Sequence, residues 1–294
     1  MKYTKPALTY EQQADLLIAR GLVASKSDLI DRLRSVNYYR LSGYLFPFRK
    51  PDDTYKPNTT LELIWNRYTF DRRLRLIIMD PIERFETSIR TTSIYLHAHK
   101  HGPFGYINPA TLPKLSPDDF GKFYKTINDE FLRSKEVFVK HFKDAYGDSH
   151  ADLPIWMAGE LMSFGTLFTF YRGLTNQDKQ SIADTLGIQH VVLDSWFKCL
   201  NMVRNICAHH SRLWNRELGI KPLIPDKMPE WHAPISIPNN KVFGVLSICI
   251  YMLNRVAPNS QWKQRLKDLL AEYPLIPLNE MGFINDWEKH SIWR

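Results

Sequence analysis

Cysteine is scarce, long apolar runs are missing and low-complexity tracts are absent from this chain of 294 residues. Three cysteines cannot build a disulfide scaffold, and they favour a reducing compartment. The best apolar stretch, Val242 to Leu253, has about twelve residues, where a membrane span needs roughly twenty. The first residues, Met1 to Leu17, hold no continuous apolar segment of the signal type. A cytoplasmic chain without a membrane partner is expected. Thirteen glycines and eighteen prolines exclude collagen-like or linker-like composition. No internal repeat is visible, and alternating strand-like runs are rare. No Ser/His/Asp arrangement, phosphate-cradling glycine loop or paired zinc motif stands out.

What is present is material for a core. Hydrophobic residues make up 44% and aromatics 13%, enough for one large domain or two small ones. Lys and Arg number 39 against 31 Asp and Glu, a net charge of +8, with a pI near 9.2. That balance suits a polyanionic partner.

Helical patterns dominate, so the fold class is all-α. Thr9 with Gln12 has the form of a capping box, and Gly21 suits the stop of that first helix. A short second helix is expected after Ser27. The segment Asn37 to Lys50 is aromatic with Arg40, Arg49 and Lys50 interleaved, the mixture of RNA-binding surfaces; the plainer alternative is a helix and turn packed into the core. A long helix is expected from Thr60 to about His97, kinked where Asp80–Pro81 suits a fresh N-terminus. Asp118 to Tyr146 reads as one helix. Another opens at Pro154 and carries Trp156, Leu161, Phe164, Leu167 and Phe168. Asn176 to Leu186, Val191 to His209, Val242 to Arg255 and Gln261 to Glu272 complete the set. Residues 219–241 read as irregular and 273–294 as a tail.

The chemistry concentrates near residue 200. Trp196, Leu200, Val203 and Cys207 step by helical intervals and mark a buried face. Asn201, Asn205 and His209 mark a second, polar face, and Arg204 lies beside it. His210, Arg212 and Arg216 follow. An imidazole exchanges protons near neutrality. Arginine offers fixed charge and a planar donor fork to a phosphate whose charge grows in the transition state. Asparagine can hold a ring or phosphate. The set suits cleavage of RNA by its own 2′-OH, which requires no metal or other cofactor and leaves a 2′,3′-cyclic phosphate. A solvated or salt-bridged basic face is the bland reading of the same spacing.

At these residues the chain resembles the Abi family of abortive-infection proteins, of the AbiD/AbiF type, whose hallmark stands intact from Arg204 to Arg216 as RNICAHHSRLWNR. The likeness extends to NYYRLSGY (Asn37–Tyr44), FDRRLR (Phe70–Arg75), IERFETSIR (Ile82–Arg90), GPFGY (Gly102–Tyr106) and ELMSFGTL (Glu160–Leu167). It implies a HEPN-like helical bundle, in which four to six residues separate an Arg from the His that follows it. It further implies a metal-independent ribonuclease of phage defence or toxin type, kin to the paired-HEPN, RNA-guided CRISPR ribonucleases. Some AbiF-like proteins are restrained by a small non-coding RNA. HEPN sites are usually composite, and one set per chain implies a homodimer. The implied organisation is an N-terminal helical region (1–55), a HEPN-like core (56–225) and a C-terminal helical region packed on it (226–294).

The resemblance makes Arg204, Asn205, His209 and His210 the catalytic candidates; their basic and aromatic surroundings make Arg40, Arg72, Arg73, Arg75, Arg212 and Arg216 the RNA-contacting ones. His210 is equally readable as a packed structural histidine. Glu160 could orient Arg204 or His209, or tie two helices together. Arg90 with His97 has the wider Arg/His spacing, but Thr91 rather than Asn, Asp or His follows Arg90. Some HEPN proteins are modified on a Tyr two residues after the His, where Ser211 stands here. The HAHKH run, His97 to His101, reads as a loop. Trp214 and the three cysteines read as packing residues. Two rivals to the enzyme are a non-catalytic RNA-binding module and a toxin that acts by binding a host protein.

Overall fold

The computed structural model describes residues 2, 4 and 6–294. Among them are twelve α-helices, short 3-10 turns and no strand beyond two isolated bridges. The all-α expectation holds. The capping box forms as read: Thr9 caps α1 (Tyr10–Ala19), and Gln12 returns a bond to the Thr9 amide. Ser25 caps α2 (Lys26–Val36), two residues before the expected start. The NYYRLSGY segment is α3 (Tyr38–Leu45); it buries Leu41, Tyr44 and Leu45 and leaves Tyr39 exposed.

The central strut is α4 (Leu61–His101), a 41-residue helix capped by the Thr60 hydroxyl. Its buried stripe includes Phe70, Leu74, Ile78, Ile82, Phe85 and Ile89. Pro81 does not start a new helix. A proline removes the amide that would bind the carbonyl four residues back, here that of Ile77. The buried indole of Trp262, on α12 (Trp262–Glu272), donates to that carbonyl at 2.8 Å. The replacement donor comes from outside α4, so tertiary packing satisfies the carbonyl that Pro81 leaves without its helical partner. The HAHKH run is the last turn of α4, not a loop.

Asp118–Tyr146 is two helices, α5 (Pro117–Arg133) and α6 (Val137–Tyr146). Ser134 is extended and its hydroxyl accepts the Glu136 amide, which divides them. The segment after Pro154 divides as well. α7 (Ile155–Ala158) and a 3-10 turn precede α8 (Phe164–Gly173), which Ser163 caps by accepting the Thr166 amide. Trp156 is consequently exposed rather than part of a buried stripe. A Cβ at Gly159 would lie 2.0 Å from Ile94 Cδ1, so this turn sits hard against α4.

α9 (Asn176–Asp184) leads into α10 (His190–Ala208), which packs on α4, α8 and α9. α11 (Val242–Val256) buries every residue from Val242 to Leu253. A helix apolar on all sides is an interior helix, and α11 lies against α4. No helix among the described residues is long and apolar enough to cross a membrane. The tail is docked: Trp293 is buried and donates to Ser247 of α11 at 3.0 Å.

Candidate active site at the end of α10

The motif is a helix end followed by a tethered turn. α10 closes with His209 as the last half-helical residue and His210 left-handed at φ 55°. The Ser211 amide donates to the Ile206 carbonyl and the His210 amide to the Cys207 carbonyl. This is a Schellman termination, in which the left-handed position usually holds glycine. A histidine there carries strain, a feature common where a site needs a particular side chain.

The turn is then tied down by four sets of bonds to α3 and α4. Arg40 of α3 donates to the His210 carbonyl. Arg75 of α4 donates to the Ser211 carbonyl at 3.2 Å. Arg212 reaches the Gly43 carbonyl at 2.6 Å. The Leu213 and Trp214 amides donate to the Asp71 carboxylate at 3.2 and 2.8 Å. Cations gathered on carbonyls at a helix C-terminus also oppose its negative dipole end. Trp214 is buried, with Arg67 over its ring.

Asp71 is the node that sequence reading missed. It is fully buried and also accepts from Tyr44 at 2.6 Å and Arg75 at 2.5 Å. Burial pushes its carboxyl above the ordinary carboxylate range, while Arg75, Tyr44 and the two amides pull it back. The signal was available: Asp71 falls on the apolar stripe of α4, one turn from Arg67 and Arg75, and buried charges are paired.

The two adjacent histidines line different cavities. His209 lies on an open groove of about 520 Å³ with Lys198, Asn201, Asn205 and Ser211, walled by Phe168, Met202, Ile206 and Ile220. His210 lines a cleft of about 510 Å³ on the far side of the turn, with Arg40, Tyr68 and Arg72. The left-handed backbone at His210 turns the chain and separates the rings. Arg204 is half-buried beside the groove and donates to Asn205 Oδ1 at 3.3 Å. The structure therefore gathers Arg204, Asn205 and His209 at the groove and sets His210 apart. Lys198 was overlooked, although it stands three residues before Asn201 and seven before Asn205, on the same helix face.

Glu86 and Arg90 of α4 back this region. Burial raises the Glu86 carboxyl, and Arg90 and Arg204 draw it down. Arg90 pairs with Glu86 at 2.5 Å and donates to the Met162 carbonyl at 2.9 Å, so it braces α4 against the turn before α8. Its seven-residue partner, His97, lies buried elsewhere, with both ring nitrogens unpartnered and packed on Phe170 and His101. Burial, then the neighbouring His101, lowers the His97 pKa to about 4. Glu160 is exposed and lines a shallow face with Arg90, Tyr95 and Trp156, away from the His209 groove.

The expected RNA-contacting arginines separate in the same way. Arg72 and Arg216 are exposed and their side chains make no hydrogen bond or ion pair among the described residues. Arg73 is paired with Glu272 of α12. Arg75 is buried against Asp71, so its guanidinium serves the fold. No group of three or more His, Cys, Asp or Glu suited to a metal occurs among the described residues. Burial pushes the Cys199 and Cys207 thiols up to about 12, which keeps them protonated packing residues.

A family model described as Abi-like protein matches residues 31–215. The chain belongs to the Abi-like protein family. The matched segment of this Abi-like chain begins in α2 and ends on Asn215, directly after the tethered turn. α11, which fills the interior beside α4, lies beyond it. No curated protein and no solved structure matches the chain.

Proposed function

We propose that this Abi-like chain is a metal-independent, HEPN-type endoribonuclease of abortive infection, acting as a toxin in phage defence. Family membership supports the setting. The observation that carries the chemistry is Asn205 and His209 on one solvent-open groove with Lys198 and Asn201, and Arg204 bonded to Asn205 beside it. Cleavage forms a bond from the ribose 2′-oxygen to phosphorus and breaks the bond from phosphorus to the 5′-oxygen. The 2′-OH proton leaves to a base, and the departing 5′-oxygen takes one from an acid. Arg204 and Lys198 stabilise the charge that builds on phosphate, and Asn205 and Asn201 orient the strand. One chain supplies one groove imidazole, whereas a base and an acid require two. Two copies related by a two-fold axis bring both. Arg72, Arg212 and Arg216 guide the RNA backbone, which is the substrate and, as a small non-coding RNA, a candidate restraint.

The test is RNA cleavage by the purified chain in excess EDTA, wild type beside His209→Ala. Cyclic-phosphate ends from wild type alone, with the variant folded, support the enzyme. Tight, salt-sensitive RNA binding without cleavage by either protein would leave an RNA-binding module. Sedimentation of the active species reads the dimer.

A further inference from the structure

The cleft on the His210 side of the turn is cationic without a carboxylate. Its lining includes Arg40, Arg72 and His210, and no Asp or Glu. Arg75 sits at its back, already neutralised by Asp71. Arg40 rests on the His210 carbonyl and has no ion-pair partner among the described residues; neither the Arg72 side chain nor the His210 ring makes any hydrogen bond there. Like charges held together in one cleft repel, and the carbonyl end of α10 offsets this only in part. An anion completes the arrangement.

The remaining wall is largely apolar. Tyr68, Leu76 and Met79 line it, and Leu76 is 62% exposed. A bare phosphate has no use for that wall. A nucleotide uses both halves, its phosphate on guanidinium forks and its base against the aromatic and apolar side. We propose that this cleft binds a nucleotide, with the phosphate on Arg72 and Arg40 and the base against Tyr68 and Leu76. The nucleotide is either free or part of an RNA strand; only the second source rests on the ribonuclease reading above. Because Arg40 also holds the His210 carbonyl, the cleft and the motif turn share one guanidinium.

The experiment is calorimetry on the full chain with adenosine 5′-monophosphate, adenosine, inorganic phosphate and a single-stranded RNA, for wild type and Arg72→Ala. Arg72 is exposed and its side chain has no partner among the described residues, so the variant should melt as wild type does. The monophosphate is expected to bind at least about tenfold more tightly than adenosine or phosphate, and Arg72→Ala to weaken it roughly tenfold or more, the range of a hydrogen bond to a charged group. Loss confined to the RNA arm assigns the nucleotide to a strand. Unchanged affinity in both arms, no binding in either, or equal binding of adenosine and its monophosphate overturns the proposal. His209→Ala should keep monophosphate binding while cleavage is lost. A wild type that binds the monophosphate but never cuts RNA would refute the enzyme and leave the cleft standing.

Discussion

Replacing Asp71 by Asn tests whether one buried carboxylate holds the motif turn. Asp71 accepts from Tyr44, Arg75, Leu213 and Trp214 inside the protein, at 2.5 to 3.2 Å. Asparagine keeps one acceptor oxygen and turns the other position into a donor facing donors. It also leaves Arg75, only 5% exposed, without its counter-charge. Removing one partner of a buried pair costs about 3–5 kcal/mol, a large part of the roughly 5–15 kcal/mol that stabilises a domain. Urea unfolding should show a lower midpoint at an unchanged slope. The Leu213 and Trp214 amides should exchange faster with solvent, since they lose a charged acceptor. Adding Arg75→Met to Asp71→Asn should recover part of the loss, because an uncharged, well-packed pair avoids the stranded cation. A loss below about 1 kcal/mol for Asp71→Asn, or an Arg75→Met effect that simply adds to it, would refute the reasoning.

Three further outcomes are expected. His210→Gly should raise stability by about 1 kcal/mol, since the position is left-handed and glycine carries no Cβ penalty there; thermal unfolding reads it, and a lower melting temperature would argue that the ring packs against the cleft. Trp262→Phe should cost about 1–3 kcal/mol by stranding the Ile77 carbonyl, and less in a Pro81→Ala background, where the restored amide can bind that carbonyl. A double-mutant cycle with no coupling would contradict the repair of α4 by α12. His97 is neutral when folded, with a pKa lowered from 6.5 to about 4. The unfolded chain takes up that proton first, so its contribution is intact above pH 6.5 and lost as pH falls toward 4, roughly 3 kcal/mol in all. His97→Phe should flatten unfolding free energy against pH across that window.

The helical class, the capping box at Thr9 and the helix ending at His209 were legible because each rests on local spacing. The apolar stripe of α4 and the polar stripe of Asn201, Asn205 and His209 repeat with the helix period, and the family hallmark lies within thirteen consecutive residues. Other features were not legible. Pro81 carries a strong local breaker signal, yet the donor that repairs its helix lies on α12, some 180 positions away. Ser134 and Met162 divide patterns that look continuous, because an extended residue between two amphipathic runs barely disturbs their periodicity. His209 and His210 are neighbours in the chain but occupy opposite sides of the turn, a consequence of one left-handed residue. Arg72, Arg73 and Arg75 look alike as a basic cluster, yet among the described residues one has no side-chain partner, one is paired with α12 and one is buried on Asp71.

Residue type and spacing thus specified the helical class, the family and the chemical inventory, since those depend on neighbours within a turn or two of helix. Which arginines remain free to meet an anion, which histidine faces which cavity and what anchors the motif turn depended on contacts between α3, α4, α10 and α12. A side chain's charge is written in its identity, but its availability is set by the partner that folding brings to it.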